Sequence, residues 1–143
     1  MGETHIVNQS HHPKSLEISI GGYGGPSYDL TWEDGHLVYR MYEDGTQQAV
    51  LHMRPSKRSW EAFWKVMDEI DIWGWQDHYE PSGRVMDGTG WSVKILVDDR
   101  FVESGGDNAY PVDGHCAGTD EVTPCFRKFL RAVRRLMGYV PFE

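Results

Sequence analysis

Cysteine is nearly absent: the chain holds only Cys116 and Cys125. Two thiols cannot build a disulfide framework, and their separation lacks the CxxC spacing of a structural zinc site. Long apolar runs are absent too. No stretch reaches the about 18 residues that a membrane-spanning helix requires. The opening residues, MGETHIVNQSHHPK, contain no apolar segment of the kind a secretory signal needs. Ile6 stands where a myristoylation signal has Ser or Thr. Cytoplasmic residence with both thiols reduced is the expectation that follows. Basic residues are in deficit, 14 Lys and Arg against 22 Asp and Glu, for a net charge of −8. That balance argues against nucleic acid and anionic lipid as partners. No GxGxxG, Walker loop or ligand set at coordination spacing is found, so no catalytic residue, metal or cofactor is expected.

Aromatic residues are what the chain has in excess. They make up 13% of its 143 residues, six of them tryptophans, and each aromatic can bury roughly 150–250 Å². This is a single globular domain with one sizeable core. Its densest aromatic stretch spans residues 59–75, SWEAFWKVMDEIDIWGW. Trp60, Phe63, Trp64, Met67 and Ile70 recur at offsets of three and four, the spacing that places side chains on one helix face. Glu61 and Lys65 form a favourably oriented pair on the other face. Ser56 and Ser59 are both candidate N-caps. Ser59 is the better fit to the helix dipole, because it keeps Lys57 and Arg58 out of the first turn. Gly74 marks the end of the periodic run.

Before that helix the pattern has period two. Leu16, Ile18 and Ile20 alternate with polar residues, then Tyr28, Leu30 and Trp32 do the same. Asp34-Gly35 and Asp44-Gly45 are hairpin signals, since Gly accepts the positive φ of a tight primed turn. They bracket a third strand over residues 36–42 and lead into a fourth over 47–53. After the helix, Trp91, Val93, Ile95 and Val97 mark a fifth strand. A turn at Asp98-Asp99 or Asp99-Arg100 opens a sixth over residues 100–104. Residues 105–121 show no periodicity and are expected to form a long loop. Thr123 then caps a second helix with Pro124 at its first position. Its apolar stripe is Phe126, Phe129, Leu130, Val133, Leu136 and Met137, and Gly138 closes it. The order ββββ-α-ββ-α predicts an α+β fold: an antiparallel sheet with both helices packed on one face. Residues 1–14 are expected to be a flexible tail and 15–143 the single domain.

Four features could carry chemistry. The glycines of GGYGGPSY join two strands rather than entering a helix, so they suit a wide turn better than a phosphate loop, leaving Tyr23 as an exposed contact residue. The 105–121 loop gathers Asp107, Asn108, Tyr110, Asp113, His115 and Cys116, and long loops in compact domains often carry function. Turn-stabilising Asp and Asn side chains explain most of that composition equally well. The acidic pairs Glu33-Asp34, Glu43-Asp44 and Asp98-Asp99 lie at hairpin turns, which accounts for them without the facing carboxylates of a glycosidase. Finally, Arg127, Lys128, Arg131, Arg134 and Arg135 crowd the second helix with no acid among them. Such a face is either the helix's wet side or a docking surface for a protein partner.

Residues 25–39, GPSYDLTWEDGHLVY, resemble the opening of certain small bacterial domains of unknown function. There too a Pro-x-Tyr-x-hydrophobic strand runs into an Asp-Gly hairpin. The resemblance implies that hairpin and brings no activity or site residue. These observations together predict a non-catalytic, acidic interaction or regulatory domain, of the immunity or inhibitor kind, whose candidate contacts are Tyr23, the loop residues named above, Arg127, Arg131 and Arg134. The alternative is a small-molecule binder or enzyme with a sheet–helix cleft lined by Tyr28, Trp32 and Trp91 and gated by the 105–121 loop.

Overall fold

The second, third and fourth strands follow one another as hairpins because each turn has residues that tolerate positive φ. The computed structural model describes residues 11–22, 25–79, 89–107, 109–112, 115–119 and 123–142. In it, Asp34 and Gly35 have φ of 51° and 80°, and Asp44 and Gly45 have 52° and 75°. Positive φ at both central residues is the type I′ geometry that matches strand twist. The two turns join β2 (Ser27–Glu33), β3 (His36–Glu43) and β4 (Thr46–Met53), and β1 (Ser15–Gly22) pairs with β2 to complete an antiparallel meander. After the first helix, β5 (Thr89–Val97) and β6 (Arg100–Asp107) return to pair with β1, giving the sheet order β4-β3-β2-β1-β5-β6. The α+β architecture is the one the sequence predicts.

Helix α1 (Lys57–Glu69) begins earlier than expected, and its N-cap is Ser56, not Ser59. The Ser56 hydroxyl accepts a hydrogen bond from the Ser59 amide at 3.1 Å. A cap of this kind contributes about 1 kcal/mol. Exposed cations in a first turn cost only about 0.3–1 kcal/mol each and are screened by salt, so the earlier start prevails. The helix also stops sooner, at Ile70 rather than Gly74, because Asp71 turns left-handed with φ 53°. A 3₁₀ turn, Ile72–Gly74, then drives Ile72 into the core. Helix α2 (Pro124–Leu136) has the expected Thr123 cap and is closed by Gly138 at φ 78°.

The region predicted as one long loop is mostly strand. β6 continues to Asp107, and β7 (Tyr110–Val112) and β8 (His115–Thr119) pair as a two-stranded sheet. The small and acidic residues there conceal the alternation. Gly105 and Gly106 present no side chain to alternate, and tertiary pairing overrides their low strand propensity.

Both helices cover the sheet face that carries Leu16, Ile18, Leu30, Val93 and Ile95, and all join one core. Trp60 lies edge-on to Trp32 at 5.6 Å and stacks with Trp64 at 5.5 Å. Trp75 bridges the layers, 5.7 Å from Trp91 and 5.6 Å from Phe129. Residues 1–10 of the predicted tail lie outside the described residues, while residues 11–14 are bound to the domain. The Lys14 amide donates to the Leu96 carbonyl at 2.7 Å, and Trp64 Nε1 donates to the His11 carbonyl at 2.7 Å. The His12 ring sits 5.1 Å from Trp32. Desolvation there, with the adjacent His11 second, lowers its pKa below the ordinary imidazole value.

Candidate functional site

A six-stranded open sheet has two edges, each a row of main-chain donors and acceptors that must be covered or left to solvent. The two are treated differently here. Along β6, the chain leaving Trp75 runs beside the C-terminal half of the strand and closes it at Ser104–Gly106, while Arg100 and Glu103 put charges on the other half. The Tyr79 amide donates to the Gly105 carbonyl at 2.8 Å, and the Gly105 amide donates to the Asp77 carbonyl at 3.1 Å. Tyr79 and Gly106 form a parallel bridge, and the Ser104 hydroxyl donates to the Gln76 carbonyl at 2.5 Å. Tyr79 locks this cap: its ring is buried and stacked on Trp91 at 6.1 Å, while its hydroxyl accepts from the Gln76 amide at 2.9 Å.

No such cover lies over β4 among the described residues. Six of its eight residues, all but Ala49 and Met53, are exposed. The strand, TQQAVLHM, contains no Asp, Glu, Lys or Arg in a chain that is 25% charged. Of the usual means of blunting an edge, charges and prolines are missing from it, and a β-bulge is present at Gln48, between the pairs Met41–Ala49 and Tyr42–Gln47. Val50 and Leu51 are 40% and 42% exposed, two of the four exposed large apolar side chains among the described residues. Leu51 is opposite Tyr39 and Val50 opposite Arg40, which puts the first on the helix side of the sheet and the second on its open side.

The register also says which β4 groups face outward. The Asp34-Gly35 loop closes on the pair Glu33 and His36, which in a two-residue hairpin is hydrogen-bonded. His36, Val38 and Arg40 therefore bond toward β2, and Leu37, Tyr39 and Met41 toward β4, by the alternation of antiparallel ladders. Their partners Met53, Leu51 and Ala49 bond inward, leaving the amides and carbonyls of Val50 and His52 outward. The strand is bracketed by exposed Glu43 and Asp44 at one end and by exposed Arg54, Lys57 and Arg58 at the other.

At the C-terminal end of β4, His36 Nε2 lies 2.9 Å from His52 Nδ1, and His36 Nδ1 lies 3.3 Å from the Asp34 carbonyl. A carbonyl can only accept, so the neutral His36 ring carries its proton on Nδ1 and accepts from His52 Nδ1–H through Nε2. The described residues contain no group of three or more side chains able to hold a metal ion. On the open face beside it, Glu33 receives hydrogen bonds from Arg40 at 2.9 Å and Thr31 at 2.5 Å. These bonds, Arg40 first, hold the carboxyl down at about 2 and raise the Arg40 guanidinium. The acid next to the turn is thus held by an ion pair on its own sheet.

The sequence-derived candidates fall elsewhere. Tyr23, Asn108 and Asp113 lie outside the described residues, and His115 and Cys116 belong to β8, where only the backbone is described. Asp107 is the exposed last residue of β6. Tyr110 is a correction: it is buried, 4.9 Å from Phe126, and serves the core. Arg127 and Arg131 are exposed and Arg134 half-buried. They form no ion pair among the described residues, where the pairs are Arg40–Glu33 and Arg100–Asp68. A groove of about 220 Å³ between the helices is lined by Val66, Glu69, Lys128, Arg131, Ala132 and Arg135. A larger one, about 410 Å³, includes Lys57, Glu61, Lys65, Asp68, Asp98 and Arg100, with acids and bases in equal number. Of the rings proposed to line a cleft, Trp91 is buried and bonded to the Ala109 carbonyl at 2.8 Å. Tyr28 packs on Phe142 at 5.8 Å and Trp32 on Trp60. The edge residues Val50 and Leu51 were not flagged by their pattern. The available signal was an uncharged eight-residue strand at the end of a meander.

Comparison with known proteins gives no assignment: no family model matches the chain, and no curated protein matches it.

Proposed function

We propose that this chain is a non-catalytic protein-interaction domain that binds by adding a strand of a partner protein to the β4 edge. The observation that carries the reading is the contrast between the two edges: β6 is clasped by residues 77–79 at Gly105 and Gly106 and charged at Arg100 and Glu103, whereas β4 is long, uncharged and exposed. In strand addition the main chain supplies the bonds, and side chains on alternating faces supply selectivity. Val50 on one face and Leu51 on the other offer an apolar contact on each. The interaction needs no assembled catalytic set and agrees with the acidic, regulatory character expected from composition.

The test is site-specific photo-crosslinking in cells, with the crosslinker placed in turn at Leu51, Phe101 and Arg131. The proposal expects protein adducts from Leu51 that disappear when Val50→Lys is introduced, with Phe101, exposed beside the capped edge, giving none. Adducts from Phe101 or Arg131 but none from Leu51 would overturn it.

A further inference from the structure

The strand that fits this edge can be named from its own charges and register. Taking the strand-addition reading as the basis, we propose that the occupant is a second copy of the chain, joined β4 to β4 in antiparallel fashion about a two-fold axis perpendicular to the sheet. Such an axis makes residues of like facing meet, so a residue on the open face pairs with one on the open face. Val50 turns its amide and carbonyl outward, and it stands at the centre of the exposed strand. Placed on the axis, it pairs with Val50 of the second copy by two reciprocal hydrogen bonds. Leu51 then lies opposite Ala49. The open faces bring the two valines together, and the helix layers fall on the same side of one twelve-stranded sheet.

Charge selects this partner over an arbitrary strand. Each copy carries −8, so two copies repel over most of their surfaces. The β4 strand is a neutral lane between an acidic end, Glu43 and Asp44, and a basic end, Arg54, Lys57 and Arg58. Antiparallel pairing with itself reverses that polarity. Past the bulge at Gln48, the Glu43-Asp44 turn of one copy lies toward Arg54 and Lys57 of the other at both ends of the junction. A parallel arrangement would set acid on acid. Among the described residues, the β4 edge is therefore self-complementary in polarity and charge, and in register from Ala49 to Leu51.

Sedimentation equilibrium of the full chain over a range reaching millimolar concentration tests this. The apparent mass is expected to climb from 16.4 kDa toward twice that value, with hydrogen exchange at Val50 and His52 slowing in step. Val50→Lys sets two ammonium groups face to face on the axis and should weaken association at least about tenfold, since like charges directly opposite destabilise a strand pair. Arg54→Glu alone should also weaken it, and the double variant Glu43→Lys with Arg54→Glu should restore it. That restoration distinguishes the charge pairing from a folding defect. A chain that remains at 16.4 kDa overturns the second-copy inference, as does a dimer that Val50→Lys leaves intact. A monomer whose Leu51 crosslinks to a different protein ends this inference while upholding strand addition; a monomer with no β4 adduct ends both.

Discussion

Replacing Gly106 with Ala should destabilise the protein by about 1–6 kcal/mol, and the figure can be assembled from parts. Gly106 is opposite Trp91 in the β5–β6 ladder and is bridged by Tyr79. A Cβ added there would overlap the Ala109 carbonyl oxygen and stand 2.8 Å from Trp91 Nε1. Those two atoms are the acceptor and donor of the buried 2.8 Å bond that ties the start of β7 to the sheet. Separating them leaves both unsatisfied, at about 1–3 kcal/mol, and accommodating the methyl in a close-packed region adds about 1–3 kcal/mol. The reduced freedom of the unfolded chain returns at most about 1 kcal/mol. Urea unfolding followed by tryptophan fluorescence measures the sum. Gly25→Ala is the control, because nothing lies within 4 Å of its added Cβ, and it should fall within about 0.5 kcal/mol of the parent or slightly above it. If Gly106→Ala also falls within that range, the Trp91–Ala109 bond and the packing of β7 over the sheet are wrong.

Truncating the buried Trp64 to Ala should cost about 3–5 kcal/mol, whereas Trp64→Phe should lose only about 1 kcal/mol and selectively speed exchange of the Lys14 amide, whose bond to Leu96 depends on the arm. Thr123→Ala removes both the cap on Phe126 and the bond to the Pro111 carbonyl, for an expected loss of about 2 kcal/mol in chemical denaturation, and Thr123→Ser should recover most of it. The Glu33 carboxyl should titrate by NMR near 2 and move up toward the ordinary carboxylate value of about 4.5 in Arg40→Gln. Since its folded pKa is depressed, its contribution to stability is complete above about 4.5 and is lost as pH falls toward about 2. A stability curve that is flat through that window, or a Glu33 midpoint unchanged by Arg40→Gln, contradicts the ion pair.

Local chemistry was legible wherever one or two residues dictate the backbone. The Asp-Gly turns, the Thr123-Pro124 helix start and the alternating apolar residues of β1 and β5 could all be identified from neighbours in the chain. Ser56 and Ser59 can both cap a helix, and Ser56 prevails because starting there adds a turn, with the Trp60 amide bonded to the Ser56 carbonyl at 3.0 Å. β7 and β8 were missed because Gly105, Gly106 and the residues after them show no two-residue period. Their strand state comes from partners far along the chain. The candidate site failed for a related reason. Whether a strand lies at an edge depends on what pairs beyond it, and nothing in residues 46–53 says that β5 will return to β1 and not to β4. Tyr110 looked like a loop contact because its burial under Phe126 depends on a helix that begins at residue 124.

The closure of β6 by residues 77–79 has a consequence for what this molecule can become. An object with two adhesive sides grows without limit, as stacked sheets do in fibrils. One side is clasped internally here at Ser104–Gly106, and the rest of β6 carries Arg100 and Glu103, charges that discourage pairing, so among the described residues β4 is the one side left adhesive. A strand docked on β4 would leave as the outer rim only β6, held by its clasp at Gly105 and by the charges of Arg100 and Glu103. Opening the Tyr79 clasp would change that count, turning a molecule that can stop into one that cannot.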